Sequence, residues 1–287
     1  MAGTVYKQYD QQQLDAQFNL RARHPEFQDH FDWYEQASER ARGDLECRLD
    51  VPYGDSSLQK LDVFPAATAG APVQVYIHGG YWQSLDKSFF SYPAAPMVGA
   101  GAAFVSINYD LAPNVTIDEI VRQCGQALDW CYRNAASFNG DAERLYVSGH
   151  SAGAHLGMMM LTRDWSADGG LPAPAVKGVS AISGVFDLES IRLSYQNEVL
   201  RLDAEAARRN SPLYNLPRHG VPLIAAVGAD ETDEFRRQNG MLATAWRARG
   251  FHCEELTVPG QNHFDIVKSL QRADDPLTRA MLAQMGL

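Results

Sequence analysis

Residues 148–155 read SGHSAGAH, with Ser151 set between Gly149 and Gly153 and flanked by His150 and His155. The preceding stretch ERLYVSG (143–149) has the β-branched, alternating character of a strand, and AHLGMMML (154–161) continues as a small-residue, methionine-rich helix. A serine on a strand-to-helix turn is the arrangement of a nucleophile elbow. Small residues on either side let the chain bend without Cβ clashes, and the new helix offers amides and its positive dipole end to developing negative charge. GxSxG alone is short enough to arise in any glycine-softened turn. The strand before it and the helix starting at Ala152 are what make Ser151 a candidate nucleophile.

Working outward, the same alternation recurs. LECRLDVPY (45–53) and LQKLDVFP (58–65), joined by Gly54-Asp55-Ser56, predict an antiparallel hairpin. VQVYIHGG (73–80) and AAFVSINYD (102–110) are continuous apolar strands, the pattern of a sheet covered on both faces. A helix follows from Thr116, with Glu119 three residues on as capping-box partner. VKGVSAISG (176–184), VPLIAAVG (221–228) and FHCEELTVPG (251–260) supply three further strands, with a helix across 233–250. Strands alternating with helices predict an α/β fold with a mostly parallel, helix-covered sheet. No repeat or linker divides the chain, so the expectation is one domain over 1–287. Residues 10–42, apolar at helical spacing and broken near Pro25, are expected to form a helical brace or lid. Residues 185–210 are expected to be an insertion over the sheet's carboxyl edge.

Composition narrows the function. The 287 residues are 45% hydrophobic and 21% charged, ordinary values for a packed globular chain, and the net charge of −10 disfavours nucleic acid and anionic membrane surfaces. Cys47, Cys124, Cys131 and Cys253 form neither a CxxC pair nor a zinc spacing, which predicts free thiols in a reducing cytoplasm. No HExxH or comparable cluster implies a metal, and no apolar run of spanning length implies a membrane. The expected partner is a small-molecule substrate, with no cofactor; a homodimer is one allowed assembly.

A serine hydroxyl needs a base, and the base an orienting carboxylate. Of the eight histidines, His24, His30 and His219 fall in segments that read as surface, and His252 opens an apolar strand. His150 and His155 flank the serine as supports of the elbow, and His78 precedes two glycines at a strand end. His263, in PGQNHFD after the last strand, is positioned to reach the carboxyl edge of the sheet. GADETDEF, after the strand at 221–228, supplies the acid: Asp230 is the first carboxylate off the strand, with Glu231 and Glu234 as alternatives. The order serine, acid, histidine is that of α/β-hydrolases. HGGYW (78–82) lies where that fold places an oxyanion loop built from backbone N–H groups.

HGGYWQSLDKS, SGHSAGAH, GADETDEF and NHF together resemble the kynurenine formamidase (arylformamidase) group of α/β-hydrolases, near the hormone-sensitive-lipase-like esterases. Those esterases show HGGG and GDSAG, whereas this chain has Tyr81 at the third glycine and His150 before the serine. The resemblance implies oxyanion donors at Gly80, Tyr81 and Ala152, with His78, Gly79 and Trp82 as the supporting motif. It also implies hydrolysis of an N-formyl arylamine by Ser151, His263 and Asp230. Tyr81, Trp82, Phe186 and Tyr195 are then either walls of an aryl pocket or ordinary core. A carboxylesterase or other amidase using the same residues is the alternative, and a non-catalytic binding protein on this fold a remote one.

Overall fold

The computed structural model describes residues 3–165, 171–172 and 174–287. Eight strands form one sheet in the order β1-β2-β4-β3-β5-β6-β7-β8. They are β1 (Arg48–Pro52), β2 (Lys60–Phe64), β3 (Ala71–Ile77), β4 (Ala103–Ile107), β5 (Gly140–His150), β6 (Val176–Ile182), β7 (Leu223–Gly228) and β8 (Cys253–Val258). The β1–β2 hairpin is antiparallel, β2 runs antiparallel to β4, and all remaining pairs are parallel. This is the mostly parallel, helix-covered sheet that the alternation predicts, and the α/β-hydrolase fold that the motif order and the resemblance imply.

Every residue of β3 and β4 is buried, and their period of two sorts the side chains into two cores. Val73, Val75, Ile77, Val105 and Ile107 enter one core, while Tyr76 and Phe104 enter the other. A sheet apolar on both faces must be covered twice. On the first face lie α3 (Ile117–Asn134), α4 (Ala152–Thr162) and α5 (Asp233–Ala248); on the second lie α2 (Phe27–Asp44) and α6 (Pro276–Met285). In α3 the buried positions Ile117, Ile120, Cys124, Leu128 and Cys131 recur every three or four residues. Thr116 caps this helix by accepting from the Glu119 amide at 3.3 Å. Each fully buried Ile or Leu there contributes roughly 1.5–3 kcal/mol.

The amino-terminal segment is tied to both cores. Helix α1 (Gln11–Phe18) starts at Asp10, whose carboxylate accepts from the Gln13 amide while Gln13 accepts from the Asp10 amide. Leu14 and Phe18 are buried in the first core, and α2 places Tyr34 in the second, its hydroxyl donating to the Phe264 carbonyl at 2.5 Å. Among the described residues all four cysteines are free thiols, and burial raises the pKa of Cys124 and Cys131. No described helix is long and apolar enough to cross a membrane.

Candidate active site

Strand β5 ends at His150 and α4 begins at Ala152, leaving Ser151 between them with φ 57° and ψ −120°. That backbone is costly for a side-chain-bearing residue and is held by its surroundings. The Ser151 amide donates to the Ile182 carbonyl at 2.8 Å. A Cβ on Gly149 would lie 2.3 Å from the Gly153 carbonyl, and one on Gly153 would lie 1.9 Å from the Ile77 carbonyl oxygen. Both glycines are therefore demanded by the approach of one backbone to another, as the elbow reading requires.

His263 follows β8 through a turn in which the Asn262 side chain accepts from the amides of Phe264 and Asp265 at 2.8 and 3.0 Å. Its Nδ1 lies 2.7 Å from Oε2 of Glu231. The other oxygen of Glu231 accepts from the Ser183 hydroxyl and, at 2.9 Å, from the Gly228 amide. An ionised carboxylate can only accept, so Nδ1 of His263 donates to Glu231 and the pair fixes the orientation of the ring. The His150 and Phe235 rings each pack 4.5 Å from the His263 ring, between centroids.

The structure places Glu231, and not the expected Asp230, beside His263. Asp230 is exposed and its amide donates to the Gln261 carbonyl at 3.1 Å, whereas Glu231 is buried against His263. The turn explains the one-residue difference. The Glu231 amide returns to the Gly228 carbonyl at 3.3 Å, so the chain doubles back at Asp230 and the next side chain faces the sheet edge. Glu234, the other alternative, is buried in an ion pair with Arg237.

The HGGYW loop takes positive φ at Gly80 (114°), Tyr81 (51°) and Trp82 (58°). A Cβ on Gly80 would lie 2.0 Å from the Ser84 carbonyl oxygen, and one on Gly79 would lie 2.8 Å from that of His150. The loop thus rests directly on the elbow. Among the described residues the amides of Gly80 and Tyr81 meet no internal acceptor, and both residues face the cavity that Ser151 opens into. Ala152, first in α4, has no acceptor within its helix. His78 is a buried staple for this loop, with Nδ1 2.7 Å from the Gly79 carbonyl, Nε2 2.9 Å from Asn108 Oδ1, and its ring stacked on Tyr109.

The cavity encloses about 500 Å³ and contains Ser151, His263 and His150. Its aromatic walls include Phe18, Phe31, Tyr34, Tyr81, Phe90 and Tyr195. Of the four aromatics singled out in the sequence, Tyr81 and Tyr195 line it; Trp82 and Phe186 are core residues outside it. The larger surprise is the amino-terminal segment, which contributes Phe18, Asn19, Leu20, Arg21, Phe31 and Tyr34 directly to the lining.

Residues 61–205 match the BD-FAE family. The chain is 36% identical to a kynurenine formamidase of Salmo salar, over 88% of this chain and 86% of that protein. The chain belongs to the kynurenine formamidase family of α/β-hydrolases. It is also 33% identical to the Danio rerio kynurenine formamidase, over 90% of this chain and 88% of that protein. A crystal structure of a candidate thioesterase from Silicibacter sp. TM1040 superposes with a TM-score of 0.83 at 27% identity, covering 96% of this chain and 99% of the other. Like its formamidase relatives, the protein is a hydrolase.

Two buried histidines around the serine stay neutral in this family member. Burial and the neighbouring His263 hold His150 well below the ordinary imidazole range. His155 is pushed down to about 4, chiefly by burial. Its tautomer is set by its partners: Trp82 Nε1 donates to Nδ1 at 3.2 Å, and Nε2 donates to the Asn210 carbonyl at 2.6 Å. A second proton would set N–H against N–H. Between pH 6.5, the unperturbed value, and about 4, the unfolded chain binds a proton that folded His155 refuses, so stability falls as the pH falls. The depressed pKa corresponds to about 3 kcal/mol lost by pH 4. Urea unfolding at pH 7 and 4.5 should show His155→Gln, which preserves both hydrogen bonds, losing less stability than the wild type on acidification. Equal losses would show that His155 does not contribute.

Proposed function

We propose that this hydrolase cleaves the formamide bond of an N-formyl arylamine such as N-formylkynurenine, with Ser151 as nucleophile, His263 as general base and acid, and Glu231 as orienting carboxylate. The observation that carries the reading is the likeness to kynurenine formamidases over nearly the whole chain. The aromatic walls of the cavity support it, since a formyl group has almost no acyl side to grip and recognition falls on the amine.

Nε2 of His263 takes the serine proton as Oγ adds to the formyl carbon, and the amides of Gly80, Tyr81 and Ala152 receive the oxyanion. Collapse breaks the C–N bond. An amide nitrogen leaves only when protonated, so the imidazolium returns its proton to the departing arylamine. Water, activated by the same imidazole, then attacks the formyl-serine ester and releases formate. Glu231 keeps the ring in register and stabilises its cationic form throughout.

Fold and triad serve ester and amide cleavage equally, so the substrate comparison is decisive. Purified protein should show kcat/KM for N-formylkynurenine exceeding that for phenyl acetate by more than about tenfold, a discrimination that pocket contacts supply. Rapid ester cleavage with negligible deformylation would overturn the formamidase reading and leave a carboxylesterase.

A further inference from the structure

The cavity carries one sign of charge. The chain has 35 acidic and 25 basic residues, yet no lining residue is Asp, Glu or Lys, and the single formally charged one is Arg21. Arg21 is exposed, whereas Ser151, His150 and His263 are buried, so this lining residue lies nearer solvent than the candidate catalytic side chains. Among the described residues no carboxylate pairs with it. Its Cζ instead lies over the Phe27 ring at 5.2 Å from the centroid and over the Phe31 ring at 5.8 Å. A guanidinium resting on aromatic faces keeps its N–H donors in the plane, free for a planar anion.

Asn19, two residues earlier and also in the lining, adds to this. Its Oδ1 accepts from the Ala22 amide at 3.3 Å, which orients the side chain and leaves its NH₂ group to donate. Gln83 and Gln196, the other amides in the lining, are bonded to one another at 2.7 Å.

We propose that Arg21, assisted by Asn19, forms a subsite for a carboxylate on the substrate, at the end remote from the bond being cleaved. The inference rests on the formamidase reading for the identity of that bond. The substrates favoured are then aryl formamides that also carry a carboxylate, and the amino-terminal segment acts as a specificity wall.

The test compares N-formylkynurenine with its primary carboxamide, which removes the negative charge and keeps the shape, using wild type, Arg21→Gln and Arg21→Lys. For Arg21→Gln, KM for the carboxylate substrate should rise about 10–100-fold, the range for losing a charge-assisted hydrogen-bond pair, with kcat and the carboxamide kinetics nearly unchanged. Arg21→Lys should fall between, retaining charge and losing the bidentate fork. A loss shared equally by both substrates, or no loss with the carboxylate, overturns the subsite. If the wild type deformylates neither compound, the formamidase reading fails by itself. The subsite is then read on 3-(4-acetoxyphenyl)propionate and its carboxamide, where Arg21→Gln must again discriminate by charge. Failure of the wild type to cleave any of the four compounds overturns both.

Discussion

Ser151→Ala is expected to lower kcat/KM on the best substrate by on the order of a millionfold, the scale on which removal of a triad serine acts. The loss follows from the site's geometry. Ser151 stands at the elbow in a buried cavity shared with His263, and no other serine or cysteine there lies on a strand-to-helix turn. Alanine accepts the same backbone strain and loses one oxygen, so the melting temperature should stay close to that of the wild type. A variant that folds and retains more than about a hundredth of the activity would remove Ser151 from the mechanism. Labelling by a fluorophosphonate probe, present in the wild type and absent in the variant, checks the same assignment without a substrate.

Glu231→Gln is expected to lower kcat by roughly 10²–10⁴-fold, while Asp230→Asn leaves it within about threefold. Glu231 accepts from three donors: the Ser183 hydroxyl, the Gly228 amide and Nδ1 of His263. A glutamine has one accepting end. With its oxygen toward Gly228, its NH₂ meets His263 and selects the wrong tautomer; reversed, it opposes the Gly228 amide. Asp230 is exposed and contributes its backbone to the turn, so neutralising its side chain disturbs little. Steady-state kinetics on the two variants decides between adjacent carboxylates. The opposite ranking would return the role to Asp230.

Much of the fold is legible along the chain because its causes are local. Continuous apolar runs at 73–80 and 102–110 announce strands buried on both faces, and they form β3 and β4 at the centre of the sheet. The helix start at Thr116 is written in its own capping side chain. Ser151, His263 and the HGGYW loop are readable for the same reason, since each is punctuation at the end of a strand. Asp230 and Glu231 are not separable in this way. Adjacent acids in one turn have the same local credentials, and the choice depends on which side chain the turn directs toward β6 and β8. Trp82 shows the same limit, since an aromatic in the loop motif proves to be a buried partner of His155.

The succession of strands and helices, the strand-to-helix turn at Ser151 with its two glycines, and the loops that carry Glu231 and His263 can all be read from consecutive residues. Periodicity and turn chemistry are properties of consecutive residues, and they are visible without a fold. The meeting of Glu231 with His263 across 32 positions of chain, and the placing of Phe18, Asn19 and Arg21 in the wall of a cavity lined by Ser151, exist only in the folded chain. Those relations are made by side chains from separate elements converging on the carboxyl edge of the sheet. The chain's order holds no record of which of two adjacent side chains turns inward; the packing of the loops over that edge does.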